Sequence, residues 1–115
     1  PPRASGCEGR PAAAGPRAEA DPDAYRYALE AIMEGHLLHG GRGRLFDTDD
    51  TDLALLAGDR LYAEGLVAMA GLGDTFAIAE LSRLIVACAV ARAAGDAEAI
   101  ESAWAEACSR IGGVA

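Results

Sequence analysis

The stretch Ala28 to Asp59, ALEAIMEGHLLHGGRGRLFDTDDTDLALLAGD, decides the fold, because it holds both histidines, an Arg/Gly/Asp loop and the starts of the two longest apolar segments. Before it the chain is rich in Pro, Ala and Gly. After it the sequence reads as helix, interrupted by Gly-Asp pairs at 73–74 and 95–96.

On the N-terminal side of the loop, Tyr25, Leu29, Ile32 and His36 recur at helical spacing and define one face of a first helix. Asp21 or Asp23 serves as its N-cap, Pro22 fits a first-turn position, and the helix runs to about Leu38. Gly40 and Gly41 then supply the left-handed conformation of a C-terminal cap. On the other side, a second helix spans about Asp52 to Ala70, with Asp50 or Thr51 as its cap. Leu53, Leu55, Leu56, Leu61, Tyr62, Leu66, Val67 and Met69 leave only a narrow strip for Asp52, Asp59, Arg60 and Glu64. A helix apolar around most of its circumference is buried on more than one side, which in so small a chain calls for a partner. Leu55, Leu61, Tyr62, Leu66 and Met69 are the expected interface residues. Gly58 and Gly65 bare the backbone on one stripe, which suits close approach by another helix. For Asp59 the expectation is a structural hydrogen bond or an ion pair with Arg60.

A third helix, capped by Asp74 or Thr75, extends to about Ala94, and a fourth covers about Ala97 to Arg110, with Ile100, Trp104, Ala107 and Ile111 on one stripe. No strand pattern and no internal repeat rises above these periods. The predicted architecture is therefore all-α, with about four helices over residues 22–115. Residues 1–21 hold four of the five prolines and no large aliphatic side chain. They are expected to form a disordered tail, because they cannot bury enough surface to offset ordering entropy.

The segment ALEAIMEGHLLHGG followed by LALLAGDRLYAEGLVAMAGLGD resembles the central part of the polyprenyl diphosphate synthases of the isoprenoid synthase family. Their pattern runs approximately E-L-I-H-x-x-S-L-I-H-D-D, then R-R-G, then A-I-L-A-G-D-x-L-L-A. Glu30 matches the family's Glu, Leu37, Leu38 and His39 match L-I-H, and Leu55 to Asp59 match I-L-A-G-D. The resemblance covers roughly residues 24 to 84. It implies an all-helical fold in which the helix carrying Leu55 to Asp59 lies at or near a subunit interface. It also implies a magnesium site where Gly40 and Gly41 now stand in place of two aspartates. Magnesium requires hard oxygen ligands, and glycine side chains supply none. A family enzyme is well over twice this length, and no second aspartate-rich motif follows here, so the resemblance implies the fold without the family's catalysis.

Two readings of the loop Gly40 to Asp50 stand side by side. Arg42 and Arg44, in a setting that matches the family's R-R-G, offer guanidinium forks to a diphosphate, and Asp47, Asp49, Asp50 and Asp52 offer carboxylates to Mg²⁺. Equally, acidic residues ahead of a helix are what its N-terminus favours, and the arginines then pair with them at the surface. Similarly, Glu34, His36 and His39 sit close enough on one helix to hold a transition metal, or His39 serves the helix C-terminus while His36 packs at a helix contact.

Composition narrows the function classes. The 115 residues allow one domain, and their core should be thin because much of the 51% apolar share is alanine. A net charge of −8 repels nucleic acid and anionic membrane surfaces. Cys7, Cys88 and Cys108 show no CxxC spacing and read as free thiols of a reducing cytoplasm. No apolar run reaches the length of a membrane span, and the N-terminal residues lack a signal-peptide core, so a soluble, cytoplasmic chain is expected.

Three functions follow as expectations. The first is a non-catalytic, isoprenoid synthase-like subunit that associates with itself or with a catalytic prenyl diphosphate synthase chain and requires no cofactor. The second is a minimal Mg²⁺-dependent prenyltransferase or terpene synthase-like enzyme that binds an isoprenyl diphosphate. The third is a small metal-binding helical bundle.

Overall fold

A computed structural model of the chain describes residues 15–46 and 48–113. Every regular element among them is helical: α1 (Pro16–Glu19), α2 (Pro22–His39), α3 (Thr51–Gly71), α4 (Thr75–Ala94) and α5 (Ala97–Gly112). The expected all-α class holds, with one helix more than expected. The extra element, α1, is a single turn inside the segment 1–21 expected to be a tail. Ala18 is buried in the core, and Arg17 lies 3.8 Å from Asp74 and stacks over the Phe76 ring at 4.5 Å. One methyl and one long cation thus tie down a turn that composition alone reads as solvated. Residues 1–14 lie outside the described residues.

The four long helices begin in the same way. Asp21, Asp50, Asp74 and Asp96 each accept a hydrogen bond from the backbone N–H three residues on, at Ala24, Leu53, Ala77 and Ala99. Each satisfies a donor that a helix start otherwise leaves open. At the far end of α2, Gly41 takes φ 88°, the Gly41 N–H donates to Leu38 and the Arg42 N–H donates to Leu37. Those two bonds turn the chain sharply into the loop.

Helices α2 and α3 run antiparallel and very close together. A methyl placed on Gly35 would stand 2.8 Å from the Gly58 carbonyl oxygen, and one on Gly65 would stand 2.9 Å from that of Ala28. The close approach expected at Gly58 and Gly65 is therefore made within the chain, by α2. Helix α4 runs antiparallel to α3, since its start at Asp74 bonds to Tyr25 near the start of α2 and its end at Arg92 reaches His36 near the end of α2. Helix α5 then returns along α4, where Arg110 meets Glu80 at 3.0 Å.

Leu29 and Ile32 of α2, Met69 of α3, Leu81, Leu84 and Cys88 of α4, and Trp104 and Ile111 of α5 form the centre of the core. Trp104, Ala107 and Ile111 are buried along the stripe read from the sequence, and Ile100 packs against its edge. Among the described residues, no helix is long and apolar enough to cross a membrane.

Candidate functional site

The loop between α2 and α3 folds back on α2 and is held there by one carboxylate. Glu34 is only 2% exposed, and its Oε2 accepts hydrogen bonds from the backbone N–H groups of Leu45 at 2.9 Å and Phe46 at 3.2 Å. A buried carboxylate is tolerated only when paired and hydrogen-bonded. The second oxygen, Oε1, makes no hydrogen bond but faces the Arg44 Nε at 3.8 Å. Gly43 allows this return, since a methyl there would collide with Phe46 O and stand 2.6 Å from Glu34 Oε2.

Arg44 is therefore turned inward. Its Nη2 donates to Glu30 at 2.9 Å while its Nε faces Glu34, so the fork expected to clamp a diphosphate is occupied by two α2 carboxylates. Among the described residues, Glu30 and Glu34, the carboxylates that meet Arg44 here, come from the preceding helix, α2. Arg42 is exposed, and its backbone N–H closes the end of α2.

The acidic residues expected at a Mg²⁺ site are spread out. Asp50 caps α3, Asp52 is exposed in its first turn, and Asp49 lines a shallow depression; Asp47 lies outside the described residues. The depression holds about 260 Å³ and is bounded by His39, Gly41, Thr48, Asp49, Thr51 and Leu55, among others. Among the described residues, no group of three or more His, Cys, Asp or Glu side chains is placed to hold a metal ion.

Glu34, His36 and His39 point to three different partners. His39 Nε2 meets Asp59 Oδ1 at 2.9 Å, with its ring tilted over Tyr62 at 5.0 Å between centroids. Asp59 thus meets His39 and not Arg60, which is bonded to Glu64 one turn on at 2.8 Å. His36 turns toward α4, where the Arg92 Nη2 donates to His36 Nδ1 at 2.6 Å and also approaches the His36 carbonyl oxygen at 3.3 Å. Burial, then the Arg92 cation, then His39 drive the His36 pKa down to about 4, so the ring is neutral and accepts.

The Arg92 cation also acts to lower the Tyr62 pKa, but burial outweighs it and raises that pKa. Cys88 is a free thiol that burial pushes up to about 11, an unreactive state at neutral pH. Cys108 differs from expectation, since it is disulfide-bonded, and Cys7 lies outside the described residues.

Comparison with protein-family models, with curated proteins and with solved structures finds no match.

Of the residues expected at an interface, Met69 is fully enclosed by the chain's own core. Tyr62, Leu61 and Leu66 are half-buried, Tyr62 lying against Gly35, and Leu55 remains exposed. The apolar surface of α3 that faces outward is built by Leu55 together with Leu53, Leu56 and Val67. Helix α4 adds Val86 and Val90. Among the eight apolar residues of α3, periodicity alone did not say which arc its own chain would cover.

Proposed function

We propose that the chain is a non-catalytic, isoprenoid synthase-like helical subunit that acts by association, with itself in the first instance and by extension with a catalytic prenyl diphosphate synthase chain. The observation that carries this reading is the outer face of α3, where Leu56 is 68% and Val67 65% exposed on the longest helix of the chain. Apolar side chains in one exposed band gain about 1.5–3 kcal/mol each when fully buried, which favours covering them.

Two features of the loop weigh toward association over catalysis. Arg44 is committed to Glu30 and Glu34, and Asp50 is committed to capping α3. Mass measurement by light scattering after gel filtration, at micromolar concentration, tests the reading. A dimer or larger species is expected, and a monodisperse monomer overturns it.

A further inference from the structure

The exposed faces of α3 and α4 carry the same spacing. On α3, Leu53, Leu56, Arg60, Ala63, Val67 and Ala70 follow one another at intervals of three, four, three, four and three, and all are exposed. On α4, Phe76, Ala79, Arg83, Val86, Val90 and Ala93 repeat those intervals and are likewise all exposed. Alternating steps of three and four define the seam along which two helices pack side by side. Inside the chain, α3 turns its opposite side to α2, and α4 turns its opposite side to the core. Apart from the Phe76 ring, which Arg17 and Arg110 cover, both seams face away from the helices packed against α3 and α4.

The geometry points to a second copy of this chain as the occupant, with the α3 seam of each copy lying antiparallel on the α4 seam of the other. The inference rests on the association reading and says which surfaces meet. Size complementarity supports the antiparallel register. Leu53 falls opposite Ala93, Val67 opposite Ala79, and Ala70 opposite Phe76, so large residues meet small ones toward both ends of the seam. Leu56 meets Val90, and Arg60 lies along Val86. A parallel register would instead set Arg60 against Arg83.

Charge supports the same partner. The exposed face of α3 carries Asp52 and Asp59 beside Arg60, whose charge Glu64 offsets, whereas α4 exposes Arg83 and its one acidic residue, Glu80, is buried against Arg83 and Arg110. In the antiparallel register Arg83 lies across from Ala63, beside the α3 turns that carry Asp59 and Glu64. Pairing α3 with α3 would bring Asp52 and Asp59 onto an equally acidic face. Because α3 and α4 are antiparallel neighbours joined at residues 72–74, one two-fold axis along the helices forms both contacts at once and closes a four-helix bundle.

Opposite charges placed on the two seams test the pairing in the full chain. Leu56→Lys and Val90→Glu are made separately, and circular dichroism confirms unchanged helicity, which is expected because both side chains are exposed. Each variant is expected to run as a monomer by light scattering, and an equal mixture of the two is expected to return to the dimer mass, since lysine then meets glutamate at one contact and native residues meet at the other. Leu53→Lys with Ala93→Glu repeats the measurement one layer away, should either first variant lose helicity. A wild-type dimer that Val90→Glu leaves intact, or a mixture that stays monomeric, overturns the α3 to α4 pairing while leaving association standing. A monomeric wild-type chain overturns both.

Discussion

Gly35 on α2 and Gly58 on α3 lie face to face, such that a methyl on Gly35 would come within 2.8 Å of the Gly58 carbonyl and one on Gly58 within 3.0 Å of the Gly35 carbonyl. Two backbones in contact leave no room for a side chain between them, and every pair that bridges α2 and α3, His39 with Asp59 included, depends on that spacing.

Gly35→Ala should therefore destabilise the protein despite its better helix propensity. The substitution gains about 1 kcal/mol of propensity, but forcing a methyl against backbone and the Tyr62 ring costs about 1–3 kcal/mol. Gly71→Ala is the control, because nothing lies within 4 Å of the added methyl and its φ is not positive. Urea denaturation should show a lower midpoint for Gly35→Ala and an unchanged or slightly higher one for Gly71→Ala. A Gly35→Ala chain more stable than wild type would mean that the two helices sit farther apart.

Asp74 and Asp96 cap successive helices, yet their replacement should differ in cost. Asp96→Ala removes an exposed cap bond to Ala99, worth about 1 kcal/mol. Asp74→Ala removes the cap bond to Ala77, the Tyr25 hydroxyl's acceptor and the partner of Arg17. Burial pulls the Asp74 carboxyl upward, but those three groups together hold it below its ordinary range. Burial and Asp74 push Tyr25 up to about 12. The expected loss for Asp74→Ala is about 2–4 kcal/mol, and equal losses at the two caps would contradict the network.

Glu34→Ala should free the loop without unfolding the helices. Two backbone N–H groups lose a charged acceptor, a cost of about 2–4 kcal/mol. Hydrogen exchange is the discriminating measurement: the amides of Leu45 and Phe46 should lose their protection while those in the middle of α4 keep theirs. Equal protection at Leu45 in the two proteins would remove Glu34 as the anchor.

Acid should weaken the fold through His36. Its folded pKa of about 4 lies below the ordinary 6.5, so the unfolded chain takes up a proton first as pH falls. The stability is fully present above about pH 6.5 and declines as pH drops toward about 4, by on the order of 1 to 2 kcal/mol once solvent screening of the partly exposed ring is allowed for. His36→Asn keeps an acceptor for Arg92 and has no proton to take up, so its stability should be flatter across that window. A slope identical to wild type would assign the acid sensitivity to other groups.

Calorimetric titration with geranyl or farnesyl diphosphate at millimolar Mg²⁺ should give no binding heat, because Arg44 is already paired and Asp50 already caps α3. Saturable, magnesium-dependent heat with folded protein would restore the diphosphate reading of the loop.

The helices and their ends were legible in the residues because those signals are local. An aspartate ahead of each long helix and a glycine behind most of them act within a few residues of where they stand, and the apolar stripe of α5 needs only its own periodicity. Other features had no local signature. The Arg92 to His36 contact spans 56 positions, and nothing near Arg92 announces it. Likewise, Arg44 reaches Glu30 and Glu34 because the capped loop doubles back over α2. The burial of Ala18 in α1 depends on a pocket formed by helices that come later in the chain.

By itself, then, the order of residues determined an all-helical chain, the places where its helices start and stop, and an α3 with more apolar surface than one neighbour can cover. Which arc of α3 is covered was decided only in three dimensions. Gly58 and Gly65 admit the α2 backbone on one side, so Met69 turns inward and Leu56 and Val67 turn out. Hydrophobicity gives each side chain a reason to be buried, but only the packing of one helix on another determines which of them succeed.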